Sequence, residues 1–262
     1  FAVRALLDGP YVDPTPAVAN GDGRMRDDLR SLGLLPLQQP YCSSALSSST
    51  LSYCGTEATT AAVLSVSDPD NAIVDWMLLE LRSSGTAGTV PSVHRRACLV
   101  QRDGDMVDMD GTSPVSFVGV MPGNFHVVAL HRNHLGCMSS QPVSASASLV
   151  SSIDLSLSST VSFGTDARKG LDGRMLMWGG NARPDDRLRY TGTSNDRDPA
   201  LIAVGGSSPT AILSNVYRLE DSNMDGFVKY TGAGNDREGL LINVNWGFGT
   251  ISVTRQRLQQ LP

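Results

Sequence analysis

Asp221, Asn223, Asp225 and Gly226 fit the D-x-[DN]-x-[DN]-G opening of an EF-hand-type calcium loop, where alternate short oxygen side chains and a glycine turn wrap one hard cation. The Phe227 carbonyl falls at the seventh position. The twelfth, where a bidentate carboxylate closes such a loop, is Gly232. Calcium takes about six to eight oxygens, so a further ligand must come from later in the chain. Asp236, at the entry to an expected helix, is the candidate, with Glu238 in reserve. Without a bidentate glutamate the affinity should be modest, suited to extracellular rather than cytosolic calcium.

The loop belongs to a duplicated unit. Sliding the chain by 40 residues lays Tyr190-Thr191-Gly192 on Tyr230-Thr231-Gly232, Asn195-Asp196-Arg197 on Asn235-Asp236-Arg237, and Leu201-Ile202 on Leu241-Ile242. Each unit, about 179–206 and about 219–246, reads as an oxygen-rich loop, a short strand, a glycine turn and a short apolar helix entered at Asn-Asp. The first loop has decayed. Asn181 takes its first position, Arg183 its third, and Asp186 the place of the glycine, while Asp185 and Asp196 remain. A guanidinium opposes a dication, so Arg183 is expected to lie across Asp185 and Asp196 in place of a metal.

Other chemistry is harder to assemble. His131 and His134 in "HRNH" lack the H-E-x-x-H helical spacing, and regular strand alternation would put them on opposite faces. No G-x-S-x-G elbow occurs, and Arg237 breaks the glycine pattern of a nucleotide loop. Asp103, Asp105, Asp108 and Asp110 could pair for glycoside hydrolysis but read better as a solvated hairpin turn. Trp246 is the one tryptophan expected at the surface, where it could stack on a glycan.

The elements that must hold these residues are mostly strands. The chain has 262 residues, 40% hydrophobic, 6% aromatic and 18% charged, and is rich in Gly, Ser and Pro, a composition typical of β proteins with many turns. A net charge of -5 argues against nucleic acid as a partner, and no apolar run is long enough to span a membrane. "MRDDLRSLG" reads as one short helix, with Asp22 as a cap and Gly33 as its stop. "NAIVDWMLLELRSS" reads as a strand with one buried face, "CLVQRDGDMVDMDG" as a hairpin, and "VSFVGVMPGNFHVVALHRNHLG" as two strands joined at Pro122-Gly123-Asn124. Residues 139–162 supply an edge strand and a connection. The expected fold is mainly β: an N-terminal antiparallel β-sandwich over residues 1–160, and residues 161–262 carrying the tandem loop-helix units, with the boundary between about 150 and 170.

The four cysteines show no C-x-x-C spacing, and Phe1 in place of an initiator Met suggests that the numbering starts after a removed export signal. Two disulfides are then expected. Cys42–Cys54 would close the Ser-rich "SSALSSSTLSY" excursion, and Cys98 and Cys137, each in or after a strand-like run, are candidates for a cross-strand or intersheet bridge, the alternative being two buried thiols.

The runs "MRDDLRSLGLLPLQQPY", "NAIVDWMLLELRS" and "LVQRDGDMVDMDGTSPVSFVGVMPGNFHVVALHRNHLG", with the two "YTG..NDR[DE]" units, resemble secreted Bacteroidota-type surface proteins of the hemagglutinin-like kind. The C-terminal units also look like dockerin-type repeats, departing from them at Gly232, in the four-residue insertion and in the first loop. What the resemblance implies is export, a surface or extracellular setting, a β-sandwich and calcium-linked stability. The expected function is that of a non-enzymatic extracellular structural protein, a self-assembling subunit of a surface fibre or layer stabilised by Ca2+, with itself or other surface proteins as partners. The alternative is an adhesin or carbohydrate-binding module with a glycan ligand.

Overall fold

The computed structural model describes residues 1–14, 21–43, 51–83, 93–146 and 150–262; most of the serine-rich excursion and residues 147–149 lie outside them. In chain order, β1 (Ala2–Arg4) and β2 (Leu6–Leu7) precede two one-turn helices, α1 (Asp28–Ser31) and α2 (Ala61–Leu64). Then come β3 (Ile73–Ser83), β4 (Val93–Gln101), β5 (Asp105–Val107), β6 (Gly123–His131), β7 (His134–Met138), β8 (Val143–Ala145), β9 (Ser152–Asp154), β10 (Lys169–Leu171) and β11 (Arg174–Met177). The C-terminal third runs β12 (Arg187–Arg189), α3 (Arg197–Ala203), β13 (Ile212–Ser214), β14 (Phe227–Lys229), α4 (Asp236–Asn245) and β15 (Gln256–Leu258). The protein is thus mainly β, with 32% strand against 11% helix.

A curled eight-stranded sheet in the order β7-β6-β3-β4-β5-β1-β9, with β8 beside β6, carries the main core. At its centre β3 pairs antiparallel with β4 and β6. Every residue from Ile73 to Leu81 is buried, so the expectation of one wet face does not hold. The sheet is covered by the rest of the chain: Trp76 Nε1 donates to the Pro36 carbonyl at 2.9 Å, Tyr41 Oη to the Trp76 carbonyl at 2.8 Å, and Tyr217 reaches Asp75 from the C-terminal third. Burial of both faces leaves an apolar run with two embedded acids, Asp75 and Glu80, each satisfied by arginine.

The turns follow local chemistry. Gly33 ends α1 at φ +69°, and the Arg102–Gly104 turn joins β4 to β5 with Gly104 at φ +93°. α1 starts after Asp27 rather than Asp22, whose carboxylate instead pairs with Arg102 at 3.0 Å. Asp172 and Gly173 both take positive φ between β10 and β11, as a two-residue type I′ hairpin requires.

Two expectations are corrected. Residues 115–121 form no strand, Gly123 and Asn124 begin β6, and the tight turn is Arg132-Asn133 between β6 and β7. Cys42 and Cys54 are bonded, with Cα atoms 4.5 Å apart, but Cys98 and Cys137 are free and buried. Cys98 lies on β4 and Cys137 on β7, with β3 and β6 between them. Three strand spacings amount to about 14 Å, against the ~4.4–6.8 Å between Cα atoms that a disulfide spans. Burial pushes both thiols up, Cys137 to about 11, so neither is poised as a nucleophile.

β2 also pairs in parallel with β11, and Leu176, Met177 and Ala167 join the N-terminal core. Smaller clusters hold the C-terminal units, one around Trp178, Leu188 and Leu240, the other around Ala200, Val204 and Val228. No helix among the described residues is long and apolar enough to cross a membrane.

Thiol titration checks the cysteine assignment. Without reductant, the native protein should show no fast-reacting thiol and the denatured protein two; four after denaturation, or none, would contradict it.

Candidate functional site: a buried turn that holds two oxygen-rich loops

The "HRNH" segment closes the β6-β7 hairpin, and His131 and His134 are cross-strand partners there rather than opposite-face neighbours. A two-residue turn places its flanking residues side by side, which strand alternation cannot show. Both imidazoles are buried, their Nδ1 atoms 2.9 Å apart. The surroundings fix the tautomers. Gly9 N–H donates to His134 Nε2 at 3.1 Å, so His134 carries its proton on Nδ1, facing His131 Nδ1 and Asn133 Oδ1. His131 then has its proton on Nε2, 3.1 Å from Asp75 Oδ2.

Asp75 is the acceptor at the centre. Its Oδ2 takes Arg132 Nε at 2.8 Å, and its Oδ1 takes Tyr217 Oη at 2.6 Å and Trp76 N–H at 2.7 Å. Burial alone would raise this carboxyl, but the Arg132 guanidinium with His131 and Tyr217 outweighs burial and holds it below the usual carboxylate range. Burial lowers the pKa of both histidines, and His134 falls furthest because His131 and Arg132 also face it. Both rings are therefore neutral at pH 7. With Asp75, Arg132 and both histidines buried, these groups form a clamp inside the fold.

The same turn grips both oxygen-rich loops. Asn133 Nδ2 donates to the Asp221 carbonyl at 2.7 Å, while its own carbonyl accepts Asn181 N–H at 2.9 Å and Gly180 N–H at 3.2 Å. Asp221 and Asn181 are the first positions of the two loops. Arg132 Nη1 adds a bond to the Arg218 carbonyl and stacks over Tyr217, 4.4 Å from the ring centroid. Arg26 donates to the Asn223 carbonyl at 2.7 Å, tying the second loop to the chain before α1.

The duplication seen in the sequence is a duplication of bonds. Asp196 Oδ2 accepts Arg189 N–H at 2.8 Å, and Asp236 Oδ2 accepts Lys229 N–H at 2.8 Å. Asp196 Oδ1 takes Arg183 N–H at 3.0 Å, and Asp236 Oδ1 takes Ser222 N–H at 2.7 Å. Asn195 and Asn235 each reach back to a glycine carbonyl, at 2.8 Å to Gly192 and 2.7 Å to Gly232. Arg197 lies over Tyr190 and Arg237 over Tyr230. Asp236 thus ties loop to strand with both oxygens, as its counterpart does in the copy without a calcium motif.

The opening of the second loop is closed by side-chain to main-chain bonds. Asp221 accepts Asp225 N–H at 3.1 Å and Gly226 N–H at 2.9 Å, Asn223 Oδ1 accepts Asp225 N–H at 3.0 Å, and Asp225 Oδ1 accepts Phe227 N–H at 2.9 Å. Gly226 sits at φ +81°, with Leu32 and Leu34 against it. Lys229 Nζ stands 3.2 Å from Asp225 Oδ2, and Arg189 stands 3.4 Å from Asp185 in the first loop. The internal cation is thus Arg189; Arg183 Nε bonds the Asn195 carbonyl instead. Burial raises the Asp196 and Asp221 carboxyls to about 7 and Asp236 to about 8. Among the described residues no three His, Cys, Asp or Glu side chains gather as a metal-holding group. The third side chain of the second loop is an asparagine.

The remaining candidates are occupied structurally. Asp103 and Asp105 pair with Arg4, Asp108 pairs with Arg96, and Asp110 accepts from Thr112 and Ser113 in a turn. His94 packs edge-on against Phe125, and His126 bonds the Ser139 carbonyl. Trp246 is half-buried under the Lys169 ammonium, 4.3 Å from its ring centroid. Sequence reasoning missed Asp75, Arg132, Asn133 and Tyr217, although a carboxylate inside the apolar run "NAIVDWMLLELRS" was the available signal. Comparison with family models, curated proteins and solved structures finds no match.

Asp75→Ala would leave the Arg132 guanidinium buried without its counter-ion and should cost about 3–5 kcal/mol by urea denaturation. Asn133→Ala should cost about 1–3 kcal/mol, since the Asp221 carbonyl loses its donor.

The histidine pair is checked by NMR. Its folded pKa lies below the unfolded value near 6.5, so the unfolded chain binds protons first as pH falls. The contribution of the pair to stability is full above about pH 6.5 and is lost as pH drops toward the folded pKa. His131 and His134 C2–H resonances should hold their neutral shifts through pH 6.5 while the protein stays folded; a midpoint at 6.5 in either would refute the buried tautomers.

Proposed function

We propose that the chain is a non-enzymatic, extracellular structural protein whose sheet-rich part is built as a sandwich. Its dockerin-like C-terminal units act as a brace, and its function is self-association into a surface fibre or layer. The observation that carries the reading is exposed apolar surface near the start of β6, with Val118 89% exposed and Met121 78%, and at Val150, 60% exposed. Val150 lines a groove of about 500 Å3 together with Phe1, Phe117 and Val120, and Val118 and Met121 are chain neighbours of those residues. Apolar surface concentrated in this way marks an association site. The Cys42–Cys54 bridge suits an oxidising, extracellular setting, and the resemblance to secreted surface proteins points the same way.

In this reading calcium stabilises the second loop. Asp221, Asn223 and Asp225 side chains with the Phe227 carbonyl are the oxygens it would use, and the Lys229 ammonium must leave Asp225 to admit it. Asp236 would act indirectly, by fixing the loop to β14. An ion bound with a Kd of about 1 mM, in the range of extracellular modules, stabilises by about 1.4 kcal/mol at ten times that concentration. Calcium at that level should raise the melting temperature of the wild type and leave Asp225→Asn unmoved.

Light scattering and electron microscopy with calcium or a chelator test the assembly. Particles should grow with protein concentration, more so with calcium, and Val118→Asp with Met121→Asp should keep the protein monomeric. A wild-type monomer at high concentration in calcium would overturn the reading.

A further inference from the structure

The two loop-helix units are related by an exchange. β13, which follows α3, pairs with β14 of the second unit, and β15, which follows α4, pairs with β12 of the first. The clefts beside the helices obey the same exchange. One lies between the second loop, α4 and Gly179-Gly180, the lead-in to the first loop. The other lies between the first loop, α3 and Arg218 with Glu220, the lead-in to the second loop. Their walls match under the same shift: Ala182 and Ser222, Pro199 and Gly239, Ile202 and Ile242, Ala203 and Asn243.

What differs is the filling. The second-unit cleft receives the Asp8-Gly9 segment of the same chain. Asp8 is held by Lys169 at 2.7 Å and by Asn243 Nδ2 at 2.6 Å, and Gly9 donates to His134 while lying so close to the Ser222 carbonyl that a Cβ would collide with it. What remains open there is about 200 Å3. The first-unit cleft is about 530 Å3, no described residue stands in it as Asp8-Gly9 does in its twin, and Ile202 is 67% exposed against 47% for Ile242. Arg183, exposed at its mouth, is the cation that an incoming carboxylate would meet.

We propose that the first-unit cleft is a docking site for a partner segment in which an acidic residue is followed by glycine, seated on Ile202 and Pro199 with its carboxylate at Arg183. The filled twin shows what such a cleft accepts: an acid that meets a fixed cation, then a residue without a side chain where the backbones touch. The inference rests on the exchange of the two units and is independent of self-association through the sheet end.

The test uses the full chain with a fluorescent peptide, ALLDGPYV, copied from residues 5–12. Anisotropy should saturate, with at least a tenfold loss of affinity in Ile202→Asp and in Arg183→Glu, and no change in Val118→Asp. An Asp-to-Asn peptide should bind several-fold more weakly. Since Ile202 and Arg183 are exposed, circular dichroism and melting should confirm that both variants fold. No saturation up to millimolar peptide, equal binding by Ile202→Asp, or binding lost only in Ile242→Asp would overturn the proposal, the last by placing the peptide in the second-unit cleft.

Discussion

The Arg132–Asp75 ion pair is the contact on which the arrangement of the C-terminal third depends. Two opposite charges without solvent contact exact a large desolvation cost, and such a pair persists only where further hydrogen bonds complete both partners. Here Tyr217, Trp76 and His131 complete the carboxylate, and the Arg218 carbonyl with the Tyr217 ring completes much of the guanidinium. Tyr217 and Arg218 lie just before the second loop. Fixing Asp75 on the central strand therefore fixes where that loop enters, and the next residue of the turn, Asn133, holds the first position of each loop. Replacing the pair with apolar side chains of equal volume could keep the stability, but it would remove the geometric instruction that sets the units on the sheet.

Within the units the shared bonds show which part of the motif is indispensable. Asp196 and Asp236 each staple loop to strand, one in a loop with Arg183 at its third position and the other in a loop that keeps asparagine there, so the staple does not depend on the full motif. Each loop also carries a cation four residues after its fifth-position aspartate, Arg189 in one and Lys229 in the other. An aspartate beside a tethered cation does not require a dissolved one. Calcium bound there as proposed would have to displace the Lys229 ammonium from Asp225, a competition that would lower its affinity. The first loop, with Arg183 at its third position, has gone further along the same route.

How much of this was legible beforehand follows from the range of each interaction. The repeat, the helix entries at Asn195 and Asn235, the Gly33 stop, the β4-β5 turn and the Cys42–Cys54 bridge are set by neighbours in sequence, and reading the chain locates them. The partners of Asp75 come from 57 and 142 residues away, and no local pattern announces them. His131 and His134 were misplaced because alternation was assumed through what is a two-residue turn; Arg132-Asn133 carries no glycine to mark it. Cys98 and Cys137 were misjudged because each sits in a strand, yet sheet order, which separates them by two strands, is a property of the whole chain.

The exchange between units explains why they resemble each other in bonds and differ in setting. A duplicated unit begins with two identical surfaces, and a single sheet edge can cover only one of them. Here the second unit lies against Asp8-Gly9 and the hairpin turn, so its loop is buried and Asp221 has no exposure. The first unit touches the body through the Asn133 carbonyl and through the cluster that joins Leu188 and Tyr190 to Leu135 and Trp178, while Ile202 on its helix stays exposed. Burial explains the sequence difference in turn. Gly226 is buried against Leu32 and Leu34 in the second unit, whereas its counterpart Asp186 is exposed, where a charged side chain is readily accepted. The loop that is held against the body was constrained to glycine at this turn, and the loop that faces solvent was left free to acquire charge there.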